Sequence, residues 1–226
     1  MPKDKILTNF QRNMLKEIGK SELSRFFIWS GGTALSFYYL QHRFSEDLDF
    51  MSQDLFRDEY LLAKLRKIAG SLNVSSIEEQ IKLNRHEFWL KKGKGILKIE
   101  FVFYPFPSIK LPKKLKEFNI RIDSIEDMLA NKAHAAYERS EPKDVFDIYC
   151  ILLTNKMDFF EIFKLVEKKF GVKIDPVLFI SNVLKGAEKL EEINPLILRK
   201  KFFKLSLIKD YFQKEAEIYL KKKISS

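Results

Sequence analysis

The sequence predicts an α/β (α+β) fold, a mixed sheet with flanking helices, followed by a helical C-terminal region. Three observations predict it. Apolar residues in the first half switch between a period of two and a period near 3.6. A Gly-Gly pair stands between a short aromatic run and a helix-spaced run. The second half carries only helical spacing, broken by acid-proline and amide-proline pairs. At 226 residues and 46% hydrophobic, the chain can bury a large core without staples.

Taken in order, Leu7 to Gly19 has helical spacing. Arg25 to Ser30 (RFFIWS) is short, aromatic and ended by glycine, which predicts a strand. Thr33 to His42 places Leu35, Tyr38 and Tyr39 at i, i+3 and i+4, a helix. Asp47 to Ser52 alternates polar and apolar, a strand, and Arg57 to Leu72 is a second amphipathic helix. Three strand-like runs follow, Ile77–Leu83, His86–Lys91 and Ile96–Tyr104. Lys92-Gly93-Lys94-Gly95 makes a hairpin turn between the last two. Pro105, Pro107 and Pro112 mark a loop, so the boundary is expected near 105–123, with a core over 1–110 and a helical region over 111–226.

Beyond it, Ser124 with Asp127 resembles a capping box opening a helix to about Arg139. Pro142 suits the first turn of a new helix running to about Thr154. A third spans 158–170, where Phe159, Phe160 and Phe163 read as core positions. Asp175-Pro176 and Asn194-Pro195 each look like a cap and a first-turn proline, giving two or three more helices. Lys221, Lys222 and Lys223 read as a solvated, frayed tail.

Composition excludes several classes. With 14% aromatic and 32% charged residues the chain is not a disordered one. Eight glycines and seven prolines are too few for a linker-rich or collagen-like chain. The single cysteine, Cys150, rules out an internal disulfide and reads as core filling. The segment MPKDKILTNFQRNML lacks an apolar stretch of signal-peptide type, and no window is apolar for about 18 residues, as a membrane span requires. No membrane association is expected, and the location expected is the cytoplasm. A net charge of +10 leans mildly toward a polyanionic partner. His42, His86 and His134 are too dispersed for a metal-ligand spacing.

The informative stretch is Ser30–Phe50, SGGTALSFYYLQHRFSEDLDF. Gly31-Gly32-Thr33 sits between a predicted strand and a predicted helix. Glycines there allow close approach of a phosphate, and the exposed N–H groups of a helix start favour an anion. Asp47 and Asp49 stand two apart in a strand, so their carboxylates project from one face. Two such charges repel unless a cation lies between them, and hard oxygen pairs suit Mg²⁺ shared with substrate phosphates. Glu100 lies within the apolar run ILKIEFVFY, where an acid is costly unless paired, exposed or metal-bound. Beside the Asp47–Ser52 strand it would complete a three-carboxylate cluster of the kind used in two-metal phosphoryl transfer. The plainer alternative is an exposed Lys98/Glu100 face.

The pattern GGTAL, then RFSEDLDF, then an acid-bearing strand, resembles the nucleotidyltransferase superfamily of the DNA polymerase beta type. More narrowly it resembles the AbiEii/AbiGii toxin family. A second block, MLANKAHAAYERSEPKDVFDIY over 128–149, supports the narrower resemblance with its Lys-bearing helix and Lys-Asp-x-x-Asp segment. The resemblance runs from about Phe10 to Leu153 and implies a nucleotidyltransferase-like core. It implies phosphate contacts for Gly31, Gly32 and Thr33, and metal ligation for Asp47, Asp49 and Glu100. Glu100 stands where the superfamily commonly has Asp. Lys132, Arg139, Lys143, Asp144 and Asp147 match the second block, while Arg43 and Ser45 match the approach to the acidic strand. The implied catalytic set is Asp47, Asp49, Glu100, Lys132 and Asp144. Arg43, Ser45, Lys132, Arg139 and Lys143 join the Gly-Gly-Thr turn as the nucleotide-binding set. Lys132 and Arg139, seven apart, share one helix face and could reach a triphosphate.

The resulting expectation is a Mg²⁺-dependent transferase that moves a nucleoside monophosphate from an NTP to a macromolecular acceptor, with tRNA a candidate. The resemblance implies a toxin whose antitoxin is encoded nearby. Two alternatives stay open: a transferase acting on a small molecule of the aminoglycoside type, and a noncatalytic nucleotide- or RNA-binding module.

Overall fold

The computed structural model describes residues 6–224 and divides the chain into two compact units. The first takes the chain up to Tyr39, then Phe44–Pro107 and Leu111–Ser124. The second takes Leu40–Arg43, Ser108–Lys110 and the chain from Ile125 on.

In the first unit, helix α1 (Asn9–Lys20) starts on a capping box, with the Thr8 hydroxyl accepting from the Gln11 N–H and the Gln11 side chain returning to the Thr8 N–H. A one-turn helix α2 (Leu23–Phe26) takes part of the run expected to be strand, and β1 is the shorter Ile28–Ser30. Ser21 explains the change, because its hydroxyl accepts from the Leu23 N–H and starts a local turn. Helix α3 (Gly31–Ala34) follows and runs into a π-helical stretch, Leu35–Leu40. The expected single helix is therefore widened after its first turn. Then come β2 (Leu48–Ser52), α4 (Asp58–Ser71), β3 (Ser76–Lys82), β4 (Arg85–Lys92) and β5 (Gly95–Phe103). The segment expected to be loop also supplies two three-residue strands, β6 (Lys113–Leu115) and β7 (Ile120–Ile122). They are too short to show a period, and pairing fixes them.

The seven strands run in the order β3-β4-β5-β2-β1-β7-β6. The pairs β2–β5 and β1–β7 are parallel and the other four antiparallel, so the sheet is mixed. Strand β2 alternates buried Leu48, Phe50 and Ser52 with half-buried Asp49 and Met51. The buried side holds Phe27, Phe50, Phe88 and Phe101, and Leu61 and Leu65 of α4 are buried as well. Phe101 is their centre, with ring centroids 4.8 Å from Phe27 and 5.2 Å from Phe50. Burial of each such side chain contributes roughly 1.5–3 kcal/mol. On the odd-numbered face of β2, Asp49 stands next to half-buried Met51, whose in-register neighbours Ile28 and Val102 are buried.

The second unit is helical: α5 (Ile125–Glu138), α6 (Pro142–Asn155), α7 (Phe159–Phe170), α8 (Pro176–Glu188) and α9 (Leu205–Ile224). Pro142 and Pro176 do open helices, and Asp158 and Asp175 cap theirs by accepting from Glu161 and Leu178 N–H groups. Asn194-Pro195 does not open a helix. Pro195 lies inside a 3₁₀ stretch, Leu190–Leu196, whose looser bonding tolerates it. Lys221, Lys222 and Lys223 form the last turn of α9 and are exposed, where cations favour the helix dipole. Phe146, Phe159, Phe179 and Phe212 are fully buried, and Cys150 is a buried free thiol. Among the described residues no helix is long and apolar enough to cross a membrane.

Candidate active site

The first unit brings its chemistry to one end of β1 and β2. Ser30 closes β1 and pairs in register with Asp49. The chain then turns at Gly31, whose φ of +74° is a left-handed conformation that glycine adopts without strain. A β-carbon there would lie 1.9 Å from Asp49 Oδ2. The acid strand and the glycine turn are thus packed against each other. The Thr33 hydroxyl donates to the Asp47 carbonyl, a second tie between the same two segments. From the other side, the Gln11 side-chain amide donates to the carbonyls of Ser45 (3.0 Å) and Glu46 (2.9 Å). Ser45 therefore enters this region through its backbone.

Ser30 is also held from below. Its hydroxyl donates to Asp123 Oδ2 at 3.0 Å, and both residues are buried. Tyr39, at the far end of the π-helical stretch, donates its hydroxyl to the Asp123 carbonyl at 2.8 Å. Asp123 thereby links β1, the end of β7 and the segment that follows the glycine turn. No sequence pattern marks Asp123, which lies in the stretch expected to be loop.

Glu100 is the in-register neighbour of Asp49 on the parallel strand β5, so the two carboxylates share one face of the sheet. Its carboxylate is ion-paired with Lys98 and, at 3.0 Å, with Arg85. Among the described residues, no three His, Cys, Asp or Glu side chains form a group that could hold a metal ion. The donors nearest to that role are Asp47 and Asp49. They are half-buried hard-oxygen groups on one short segment, suited in chemistry to a cation of the Mg²⁺ class.

The second unit gathers the other block into a buried ion network. Asp147 is fully buried. It accepts two hydrogen bonds from Arg43, both at 2.7 Å, and one from His42 Nε2 at 2.6 Å. Lys132 Nζ bridges Asp144 (2.7 Å) and Asp147 (2.9 Å). Arg139 donates to Asp144 Oδ2 at 2.9 and 3.1 Å, so Lys132 and Arg139 meet on one carboxylate, as one helix face requires. The Arg139 side chain is 60% exposed, and Lys143 is exposed. Arg43 is 2% exposed, with its guanidinium committed to Asp147.

Burial alone would raise the Asp147 carboxyl. Arg43, Lys132 and the His42 hydrogen bond outweigh it and hold it well below the usual carboxylate range. Burial works against the Lys132 ammonium, but Asp147 and Asp144 hold its pKa above the ordinary lysine value. For His42, burial wins over Asp147 and lowers the pKa, so the imidazole is neutral and donates through Nε2. In the sequence His42 is too dispersed from the other histidines for metal ligation, and no spacing marks it as a partner of Asp147.

Comparison with known proteins identifies the family and the fold. A family model described as the nucleotidyl transferase AbiEii toxin of type IV toxin–antitoxin systems matches residues 13–220. An uncharacterized protein of Aquifex aeolicus (strain VF5), aq_aa25, is 29% identical over 191 residues, covering 81% of this chain and 84% of that one. Among solved structures, a candidate nucleotidyltransferase from H. pylori aligns with a TM-score of 0.59 at 19% identity, over 93% of this chain and 92% of that chain. JHP933 from Helicobacter pylori gives 0.57 at 20% identity, over 93% and 89%. These two show a shared fold. The family match spans most of the chain, which belongs to the AbiEii nucleotidyl transferase toxin family.

Proposed function

From membership in the AbiEii family, we propose that this chain transfers a nucleoside monophosphate from an NTP to a hydroxyl of a macromolecular acceptor, with tRNA the candidate to test first. The observation that carries the proposal is the packing of Asp49 against the Gly31 turn, which joins an acid pair to a phosphate-type turn.

In the proposed reaction the acceptor oxygen bonds to the α-phosphorus. The bond from that phosphorus to the β-phosphate oxygen breaks, and pyrophosphate leaves with the electron pair. The hydroxyl proton passes to a carboxylate of the acid segment. Mg²⁺, held by Asp47 and Asp49 and on the family pattern by Glu100, would supply charge neutralisation at the attacking and leaving oxygens. The chain's own contribution is orientation. Gly31, Gly32 and Thr33 offer backbone N–H groups to phosphate oxygens. Thr33 and Gln11, through their bonds to Asp47, Ser45 and Glu46, hold the segment leading into Asp49. Lys132, Arg139 and Lys143 are proposed as phosphate contacts from the second block, with Asp144 orienting the first two. Arg43 and His42 are proposed to keep Asp147, and through it Lys132, in place.

A nearby-encoded antitoxin follows from the same family reading, and cytoplasmic action from the choice of substrate. The test is incubation with each labelled NTP, Mg²⁺ and total RNA or lysate. Label in one RNA species is the expected result. Label in a small molecule would move the assignment to that substrate class, and no label with intact nucleotide binding would favour a binding module.

A further inference from the structure

Asp49, the second acid of the pair expected from sequence, is part of a longer row. Register places Ser30 of β1, Asp49 of β2, Glu100 of β5, Glu87 of β4 and Gln80 of β3 side by side on five adjacent strands. In-register neighbours share a face, so Asp49, Glu100 and Glu87 are three consecutive carboxylates across the sheet. Glu100 and Glu87 are 7% and 5% exposed. Such a row is electrostatically unfavourable without intervening positive charge.

That charge comes from the same face. Lys98 Nζ bridges Oε1 of Glu100 and Oε1 of Glu87, the latter at 3.0 Å. Arg85 takes Oε2 of Glu100 at 3.0 Å, and Lys82 takes Oε2 of Glu87 at 3.0 Å. Each of the four carboxylate oxygens thus has its own cationic contact. Burial works against the Lys98 ammonium, but Glu100 and Glu87 hold its pKa above the ordinary lysine value.

We infer that Lys98 and Arg85 are positioning residues that stand in for a divalent cation at Glu100. They let its carboxylate lie beside Asp49 and set how tightly the acid row takes a metal ion. The inference rests on the reading of Asp49 as a metal ligand. In this arrangement a divalent ion at Asp49 gains Glu100 only by competing with two built-in cations. Lys98 and Arg85 therefore weaken ion binding in the absence of nucleotide. Neither residue is assigned a contact with substrate.

The experiment is titration of the full chain with Mn²⁺ alone, without nucleotide, read by electron paramagnetic resonance of the free ion. Lys98→Met and Arg85→Met should each bind Mn²⁺ at least fivefold more tightly than wild type. Both should also melt lower in chelator and recover on adding Mn²⁺, as the ion replaces the lost charge. Lys98→Arg, which keeps the charge, should behave as wild type. Affinities within twofold of wild type in both Met variants would overturn the inference, and so would tighter binding in Lys98→Arg. Asp49→Asn separates the two levels of the argument. Its failure to weaken Mn²⁺ binding, with the gain persisting in the Lys98→Met/Asp49→Asn double variant, would reject Asp49 as a ligand. Loss of that gain in the double variant supports both.

Discussion

Asp49 Oδ2 occupies the space that a β-carbon on Gly31 would need, 1.9 Å from its position. The acid strand and the glycine turn therefore cannot be changed independently. Gly31→Ala would place a side chain in a left-handed backbone, which costs about 1–2 kcal/mol, and would also push Asp49 aside. The expected outcome is near-complete loss of nucleotide transfer in a chain destabilised by about that amount or somewhat more. Denaturant melting and a labelled-NTP assay check it. Wild-type transfer in Gly31→Ala would mean that Asp49 works from another position.

Asp49→Asn keeps the shape and removes the charge. On the proposed reading it should lower transfer at least about a hundredfold. Induced expression at matched protein levels gives the cellular readout. Growth arrest by wild type but not by Asp49→Asn is expected, and equal arrest by both would sink the catalytic assignment.

Much of the core was legible because its signals are local. The period-two alternation around Asp49, the Gly-Gly turn and the prolines opening α6 and α8 each act within a few residues. What sequence did not show depends on pairing across strands. Strands β6 and β7 exist through their partners, so Asp123 beneath Ser30 stayed hidden. Glu87 was likewise one charge among many until register set it beside Glu100. The plainer alternative, an exposed Lys98/Glu100 face, does not hold as such, because Glu100 is buried at 7% exposure; the two residues form an ion pair that also borders Asp49.

A second buried ion pair lies apart from the Asp147 network. Lys169 Nζ meets Asp127 Oδ1 at 2.5 Å, with side chains 3% and 0% exposed. Asp127 also accepts the N–H groups of Ile109 (2.9 Å) and Lys110 (3.1 Å), tying that short segment to α5. Breaking one side of such a pair costs roughly 3–5 kcal/mol. Asp127→Ala should sit at or above the top of that range because it strands two backbone donors as well as the ammonium. Lys169→Met should cost less, since Asp127 keeps both N–H bonds. Chemical denaturation of both variants and the double variant measures the difference; a smaller loss in Asp127→Ala than in Lys169→Met would contradict the assignment.

The Asp147 network predicts an acid limb in two stages. His42 has a folded pKa below its ordinary value near ~6.5, so the unfolded chain binds its proton first. Stability from keeping it neutral is therefore present above about pH 6.5 and falls as pH drops toward the folded pKa. Asp147, held well below the usual range, contributes stability above its unfolded pKa near ~3.9 that is lost as pH falls through the folded value. Lys132 works at the other end: its raised pKa gives stability below about pH 10.4, lost as pH rises through the folded value. Thermal midpoints should thus begin to fall below pH 6.5 and fall further below pH 4. His42→Gln keeps a hydrogen-bond donor but cannot titrate, so it should flatten the first stage and leave the second. Asp147→Asn, which strands Arg43 and leaves Lys132 with Asp144 alone, should cost about 3–5 kcal/mol near neutral pH and lose the second stage. Identical slopes between pH 6.5 and 5 in wild type and His42→Gln would show that the first stage does not arise at His42.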